Sequence, residues 1–304
     1  MVENVHKLWC YNDVHNWGSM LAKAAAARGH DAHLFEDPRE PDRGFVFMHM
    51  HYHPQVRELH KRCMRVMSTN PDLTLIPNYR SSVLYDDKAE QARQLAKYMP
   101  RTHIYWTPSA ARRWLDTQPE IPFMSKASEG ARSHNVRLVS NYEDAREEIK
   151  LAFSDLGIKC RYGQTQRGYL LWQDYIPDND GDIRVIAIGS QRLVLRRGNH
   201  IDRSANKTGR LTPIVKLDDP EIVEALKVAD TFFRAENMQW SGIDMVRDTN
   251  GRWYILETTV SWTMNAFYEC GFMKNGGAMG WNTTGVMGDK IWHVLLDEIE
   301  GGAF

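Results

Sequence analysis

In this chain of 304 residues the sharpest chemical signal lies in SGIDMVRD and RWYILET, two strand-like runs joined by Asn250-Gly251. Asn-Gly between alternating apolar residues is a strong short-range hairpin signal, so Asp244 and Glu257 fall on adjacent antiparallel strands. Cross-strand pairing can bring two carboxylates close enough to share a hard cation, and magnesium is the natural guest. Beside a triphosphate, ions held there would neutralise charge on transferring phosphoryl oxygens, most of what phosphoryl transfer asks of a protein. Taken alone, two acids at strand ends give the same pattern without chemistry, so the surrounding elements must decide.

A second group, His49, His51 and His53, alternates along FMHMHYH. On a strand these side chains share a face, a spacing compatible with a metal site or with substrate recognition. The competing account has His49 and His51 lining a half-buried sheet face and His53 in the exit loop, and no transition metal is assigned. Cys10, Cys63, Cys160 and Cys270 are widely separated and form no C-x-x-C, so they read as reduced, buried thiols.

Composition narrows the function class. Lysine plus arginine total 38 against 39 for aspartate plus glutamate; no global field draws the chain to nucleic acid or to an anionic membrane. Hydrophobic residues make up 42% of the chain, enough for two or three packed lobes. The opening MVENVHKLWC lacks a signal-peptide core, and no run approaches the roughly 20 apolar residues of a membrane span, which points to the cytoplasm.

The elements that must position these residues follow from periodicity. Strands are expected at Lys7 to Tyr11, near Ala32 to Phe35, at Gly44 to His51 and at Leu73 to Pro77, with helices at Trp17 to Arg28 and Pro54 to Met67. That is an α/β lobe built from βαβ units. The turn after its first strand, YNDVHNWGS, lacks the glycines of a dinucleotide fingerprint. Further along come a helix at Asp86 to Met99, short strands FMSK and VRLV, and a helix at Asn141 to Leu156. YLLWQDYI and DIRVIAI read as strands around a tight PDNDG turn, the basic segment to Leu211 as loop, and Pro220 to Glu236 as the helix before the metal hairpin. The run from Trp262 to Trp281 has no sustained periodicity and either shapes an acceptor pocket or wraps the core.

From Asp87 onward the chain resembles the ATP-grasp superfamily, in style closest to its RimK-like glutamate-ligase branch, on five landmarks in order. Asp87-Lys88 opening a helix, with Pro100 and Thr102 after it, resembles the D-K…L…P-x-T entry and implies that Lys88 reaches an ATP phosphate. Lys126 in FMSKASEGARSHNVRLV resembles the strand lysine before a phosphate-covering loop, implying nucleotide contacts from Lys126, Ser128, Gly130 and Ala131. This loop holds one glycine where the family has several, with Arg132 and Ser133 as candidate compensation. Gln173-Asp174-Tyr175-Ile176 resembles the hinge that pairs with the adenine edge, followed by Asp182 as a nucleotide contact and Arg184 as a substrate or phosphate contact. Arg203, Asn206 and Lys207 in RRGNHIDRSANKTGR resemble the region that meets the γ-phosphate and the acceptor. Last, GIDMVRD…WYILETTVSW resembles the G-x-D…E-x-N-x-S metal hairpin, with Asp244, Glu257 and Ser261 matching. The metal-binding asparagine falls on Thr259, a poorer donor to magnesium, with Asn265 as a substitute if the chain folds back.

The resemblance implies an ATP-grasp fold, α/β and α+β, with a Rossmann-like pre-ATP-grasp lobe over residues 1–82, a central lobe over 83–168 and a metal-hairpin lobe over 169–304. It implies ATP and Mg2+ as cofactors and a carboxylate–amine ligation through an acylphosphate. The catalytic set would be Arg184, Arg203 and Lys207, and the metal set Asp244, Glu257 and Thr259. Partners would be a small-molecule or peptide carboxylate and an amine, with no nucleic acid and no membrane, and a homodimer as the default assembly. A hydroxyl acceptor would make it a kinase, and Thr259 with the glycine-poor loop would also suit a relative that binds nucleotide without turnover. The chemical identity of carboxylate and amine is set by loops and the N-terminal lobe and is not legible in these motifs.

Overall fold

A computed structural model describes residues 5–128, 136–160, 163–179, 181–198, 211–213, 219–262, 271–275, 281–286 and 290–304. The chain opens with β1 (Lys7–Tyr11), α1 (Trp17–Ala27), β2 (Asp31–Phe35), β3 (Gly44–Phe47), α2 (Pro54–Met67) and β4 (Leu73–Ile76). These strands form a parallel sheet in the order β2-β1-β3-β4. Parallel pairing requires crossovers, and α1 and α2 supply two of them. Gly18 is needed in the first turn of α1, since a Cβ there would meet the Tyr11 carbonyl oxygen at 1.8 Å. β3 stops at Phe47, not at His51, so the histidines that follow lie in the loop before α2 and not on a strand face.

Two short helices not anticipated as separate elements follow: α3 (Tyr79–Leu84) and α4 (Lys88–Gln94). The expected single helix to Met99 ends early, at Leu95. Asp87 caps α4 by accepting from the Glu90 amide at 3.0 Å, so the helix opens on Lys88.

The central lobe contains β5 (Thr102–Tyr105), α5 (Pro108–Asp116), β6 (Phe123–Lys126), β7 (Val136–Val139), α6 (Tyr142–Ala152), the short pair β8 (Ile158–Lys159) and β9 (Thr165–Gln166), and β10 (Leu170–Asp174). Its antiparallel sheet runs β5-β10-β6-β7. One face packs Phe123, Val139, Leu170 and Trp172 against Ala111, Leu115, Ala145 and Ile149 of the two helices. Glu148 of α6 fastens that face by accepting from Ser125 Oγ at 2.5 Å and from Trp172 Nε1 at 2.9 Å. Alternation therefore turns Met124, Lys126, Leu171 and Gln173 to the opposite face.

β10 and β11 (Gly181–Ile188) are not the hairpin their spacing suggests. They belong to different sheets, and PDNDG is the passage between lobes. The change of sheet thus falls after Asp174, a few residues beyond the expected division at 168/169. The last lobe adds β12 (Gln191–Gly198), β13 (Leu211–Pro213), α7 (Pro220–Ala235), β14 (Trp240–Arg247), β15 (Trp253–Thr259), β16 (Gly271–Asn275), β17 (Trp281–Val286) and α8 (Ile291–Glu300). The segment read as basic loop thus begins with strand β12, and the tail without periodicity contains two strands. The sheet order is β15-β14-β11-β12-β16-β17, with β13 on β12. At the β11–β12 turn Gly189 sits at φ 55°, where a Cβ would meet the Glu298 carboxylate at 2.4 Å.

Residues Ile183, Val185, Ala187, Ile243 and Met245 of this sheet pack on α7 through Leu226, Ala229 and Phe233. The opposite face carries Ile186 and Ile188, which join α8 and the N-terminal lobe in one core with Phe47, Trp240, Trp262 and Trp292. Arg28 at the end of α1 bonds Asp297 of α8 at 2.6 Å, and His30 bonds Glu300 at 2.8 Å. The N-terminal lobe is therefore seated on the metal-hairpin lobe by shared apolar packing plus polar contacts at its rim. No described helix is long and apolar enough to cross a membrane.

Candidate active site

On β14 and β15, Asp244 stands directly opposite Glu257, and on the other side of β14 Arg184 of β11 stands opposite Asp244. Cross-strand partners share a face, so one row of charge runs across three strands. The Arg184 guanidinium donates two parallel bonds to the Asp244 carboxylate, at 2.6 and 2.7 Å. Such a fork is among the stronger protein hydrogen bonds, and Asp244 is buried. The next row on the same face is Ile186, Gly242 and Thr259; Gly242 offers no side chain, and a Cβ there would crowd Thr259 Cγ2 at 3.1 Å.

Lys88 Nζ lies 3.3 Å from the Glu257 carboxylate and 3.8 Å from that of Asp86. Burial works against its charge, but the Glu257 and Asp86 carboxylates outweigh it, and the ammonium is held above its ordinary range. Asp86, at φ 51°, is also paired with Arg57 of α2. A chain of alternating charge thus runs Arg57, Asp86, Lys88, Glu257. The start of α4 is fixed on β15 by the Gln91 amide, which accepts from Thr258 N at 2.9 Å and donates to Thr258 O at 3.0 Å. Ser128 is buried; its hydroxyl donates to Asp87 at 3.0 Å and its carbonyl accepts from the Lys88 amide at 2.9 Å. The exit of β6 is thereby fastened to the residue that opens α4.

Lys126, from the central lobe, donates to Gln173 Oε1 at 2.6 Å, and Gln173 Nε2 donates to Thr102 Oγ1 at 2.8 Å. Burial pushes the Lys126 ammonium down to about 8; neighbouring Lys88 pushes the same way, while Glu257 and Asp244 oppose. Lys88 of α4 and Lys126 of β6 both act on Glu257, which gathers Lys88, Lys126, Gln173, Arg184, Asp244 and Glu257 in one place.

Other expected residues are placed differently. Asp174 pairs with Arg101 at 3.1 Å at an exposed edge, and its amide bonds the Arg101 carbonyl at 2.9 Å. Tyr175 and Ile176 follow directly, and the Ile176 carbonyl accepts from Asn179 at 2.6 Å. Asp182 lies on β11 two residues before Arg184, on the same face. Thr259 shares the face of Glu257, and its hydroxyl donates to the Ser261 carbonyl at 2.7 Å and accepts from the Ser261 amide at 3.3 Å, which leaves it one lone pair. Gly130, Ala131, Arg132, Ser133, Arg203, Asn206, Lys207 and Asn265 lie outside the described residues. Asp86, Arg57 and Gln91 are additions from the structure. A doubled Asp86-Asp87 before Lys88 was the one local hint, while Arg57 gave no signal because its helix reads as an ordinary amphipathic one.

The histidines belong to the same neighbourhood. His49 is buried and bonds Ser261, just beyond β15, at 3.0 Å. Burial pushes the His49 imidazole down to about 3 and that of His60 to about 4. Among the described residues no three His, Cys, Asp or Glu side chains are grouped to hold an ion.

Mg2+ is usually held by one or two carboxylates together with substrate phosphates, and Asp244 with Glu257 is such a pair. Lys126, a buried cation with a depressed pKa, is a fitting neighbour for an anion. A cavity of about 490 Å3 opens beside the hinge, lined by Ala92, Met99, Arg101, Thr102, Asp174 and Tyr254 among others. Neither Lys88 nor Lys126 is among its walls.

Three lobes with a two-lobe clasp and a carboxylate hairpin define the ATP-grasp fold, and this chain has it. No family model and no curated protein matches the chain, but solved structures do. D-cycloserine synthetase DcsG is 13% identical with a TM-score of 0.60, covering 98% of this chain and 99% of that one. The ATP-grasp ligase PsnB, complexed with precursor peptide PsnA2 and AMPPNP, is 14% identical with a TM-score of 0.57, covering 97% and 99%. A RimK domain ATP-grasp protein from Sphaerobacter thermophilus is 14% identical with a TM-score of 0.53, covering 84% and 91%.

Proposed function

We propose that this protein is an ATP-dependent carboxylate–amine ligase that works through an acylphosphate and releases ADP and phosphate. The observation that carries the proposal is the register of Asp244 against Glu257, with Arg184 on one and Lys88 on the other, set in an ATP-grasp fold. Similar structures include the ATP-grasp ligase PsnB complexed with a minimal precursor, Mg and ADP, and N5-carboxyaminoimidazole synthetase from Staphylococcus aureus complexed with ADP.

In the proposed reaction an acceptor carboxylate oxygen attacks the γ-phosphorus and the bond to ADP breaks. An amine nitrogen then attacks the acyl carbon, loses a proton, and expels inorganic phosphate as the C–N bond forms. Lys126 of β6 and Lys88 of α4 would offset the charge of the phosphates. Gln173 orients Lys126 through its 2.6 Å bond. Asp244 and Glu257 would hold Mg2+, which when bound supplies further neutralisation of phosphoryl oxygens. Arg184 orients Asp244 through its two parallel bonds.

Hydroxylamine tests the reading without knowledge of the natural amine. Incubation with Mg-ATP and pooled small carboxylates or acidic peptides is expected to give hydroxamate in amounts matching released phosphate. ADP formed with a stable phosphoester and no hydroxamate would replace the ligase with a kinase.

A further inference from the structure

Three carboxylates stand about the start of α4: Asp86 and Asp87 in the chain just before it, and Glu257 on β15. Lys88, the first residue of the helix, is buried there. An ammonium is a point charge on a flexible stem, and it pairs with whichever neighbouring carboxylate other groups neutralise least. Asp87 is engaged locally, accepting from the Glu90 amide and from the Ser128 hydroxyl, each at 3.0 Å. Asp86 is engaged from another lobe, where Arg57 Nη1 of α2 donates to its Oδ2. Lys88 Nζ stands 3.8 Å from the other Asp86 oxygen, too far for a hydrogen bond, and 3.3 Å from Glu257 Oε2. The ammonium thus leans toward Glu257.

Arg57 is an unusual residue for its place. It lies on the core-facing row of α2 with His60, Met64 and Met67, and it is 1% exposed. A guanidinium so far from water needs a paired carboxylate. A second carboxylate, that of Glu58, stands 3.8 Å from Arg57 Nε but is half exposed. Asp86 has φ 51°, a left-handed conformation that a residue other than glycine keeps only where its surroundings fix it, and the bond from Arg57 is part of those surroundings. Replacing a buried ion pair by apolar residues is often neutral or stabilising, so packing α2 on this turn does not by itself call for an arginine. What an apolar residue could not do is neutralise Asp86, two residues before Lys88.

We infer that Arg57 is a positioning residue for the phosphate site: by engaging Asp86 it keeps that carboxylate from capturing Lys88, which stays beside Glu257 and available to nucleotide phosphates. Phosphate binding then depends on the seating of the N-terminal lobe, which carries Arg57. The inference rests on the nucleotide part of the ligase reading, and not on the acceptor or on the bond that is formed.

The test is a set of double-mutant cycles on the full chain with Mg2+, read by calorimetric binding of AMPPNP and by NMR-detected binding of adenosine, which has no phosphate. Arg57→Met is expected to weaken AMPPNP binding about tenfold and to leave adenosine binding unchanged. Adding Asp86→Asn should restore AMPPNP affinity to within about threefold of the parent, because the competing charge is gone. In a Lys88→Met background Arg57→Met should cost no further AMPPNP affinity, since its effect passes through Lys88. Weaker adenosine binding in step with AMPPNP, no recovery on adding Asp86→Asn, or an equal loss in the Lys88→Met background would each overturn the inference. Should Arg57→Met fail to fold, the uncharged double variant Arg57→Met with Asp86→Asn decides: AMPPNP affinity near the parent's supports the inference, and a loss of about tenfold overturns it. A parent protein that binds AMPPNP but forms no hydroxamate would keep the inference and overturn the ligase reading, whereas one that binds no AMPPNP would overturn both.

Discussion

At the scale of single residues, both candidate carboxylate ligands already carry a cation: Arg184 on Asp244 and Lys88 on Glu257. Glu257→Gln removes a ligand and leaves Lys88 facing a neutral amide, so ATP turnover should fall by about 100-fold or more while the circular dichroism spectrum is retained. Lys126→Ala should do the same, since Lys126 packs no apolar core. A variant pair with undiminished turnover would remove both residues from the site. The Lys126 pKa of about 8 gives a sign to pH dependence. Only the protonated ammonium attracts phosphate, so kcat/KM for ATP should decline as pH rises through about 8. In Lys126→Arg, which stays charged, that decline should move to higher pH; an unmoved alkaline limb would assign it to another group.

At the scale of elements, the first turn of α1 depends on Gly18. Gly18→Ala forces a Cβ into the Tyr11 carbonyl and should destabilise the N-terminal lobe by about 3 kcal/mol, read by urea unfolding. The histidine loops add an acid sensitivity. The unfolded chain protonates His49 and His60 near pH 6.5, whereas the folded chain holds them down to about 3 and about 4. The unfolded state therefore binds more protons in this window, and stability falls as pH drops from about 6.5 toward 4, by up to about 1.4 kcal/mol per pH unit for each histidine. Unfolding midpoints that stay level between pH 7 and 5 would contradict this. The hairpin carrying Asp244 and Glu257 was legible because Asn250-Gly251 between two strand-like runs encodes local pairing. The β10–β11 passage was not, because alternation marks strands but not which sheet each joins, and β3 was read too long because FMHMHYH keeps alternating after pairing ends. Motif order singled out Lys88, Lys126 and Gln173, which the fold brings near Glu257 or bonds to one another; Arg57, Asp86 and the His49–Ser261 bond depend on contacts between distant segments that no local pattern carries.

At the scale of the whole molecule, a central lobe supplies Lys126 and Gln173, the last lobe supplies Arg184, Asp244 and Glu257, and the N-terminal lobe reaches the same site through Arg57 and His49. The shared core of Phe47, Trp240, Trp262 and Trp292 holds the N-terminal lobe against the lobe that carries β14 and β15. The most direct test of the ligase account is a phosphorus NMR time course of Mg-ATP with the protein, pooled carboxylates and amines, and Glu257→Gln in parallel. The account predicts equal amounts of ADP and inorganic phosphate, dependent on the acceptor pool and on Glu257. AMP with pyrophosphate, or ADP without phosphate, would contradict it.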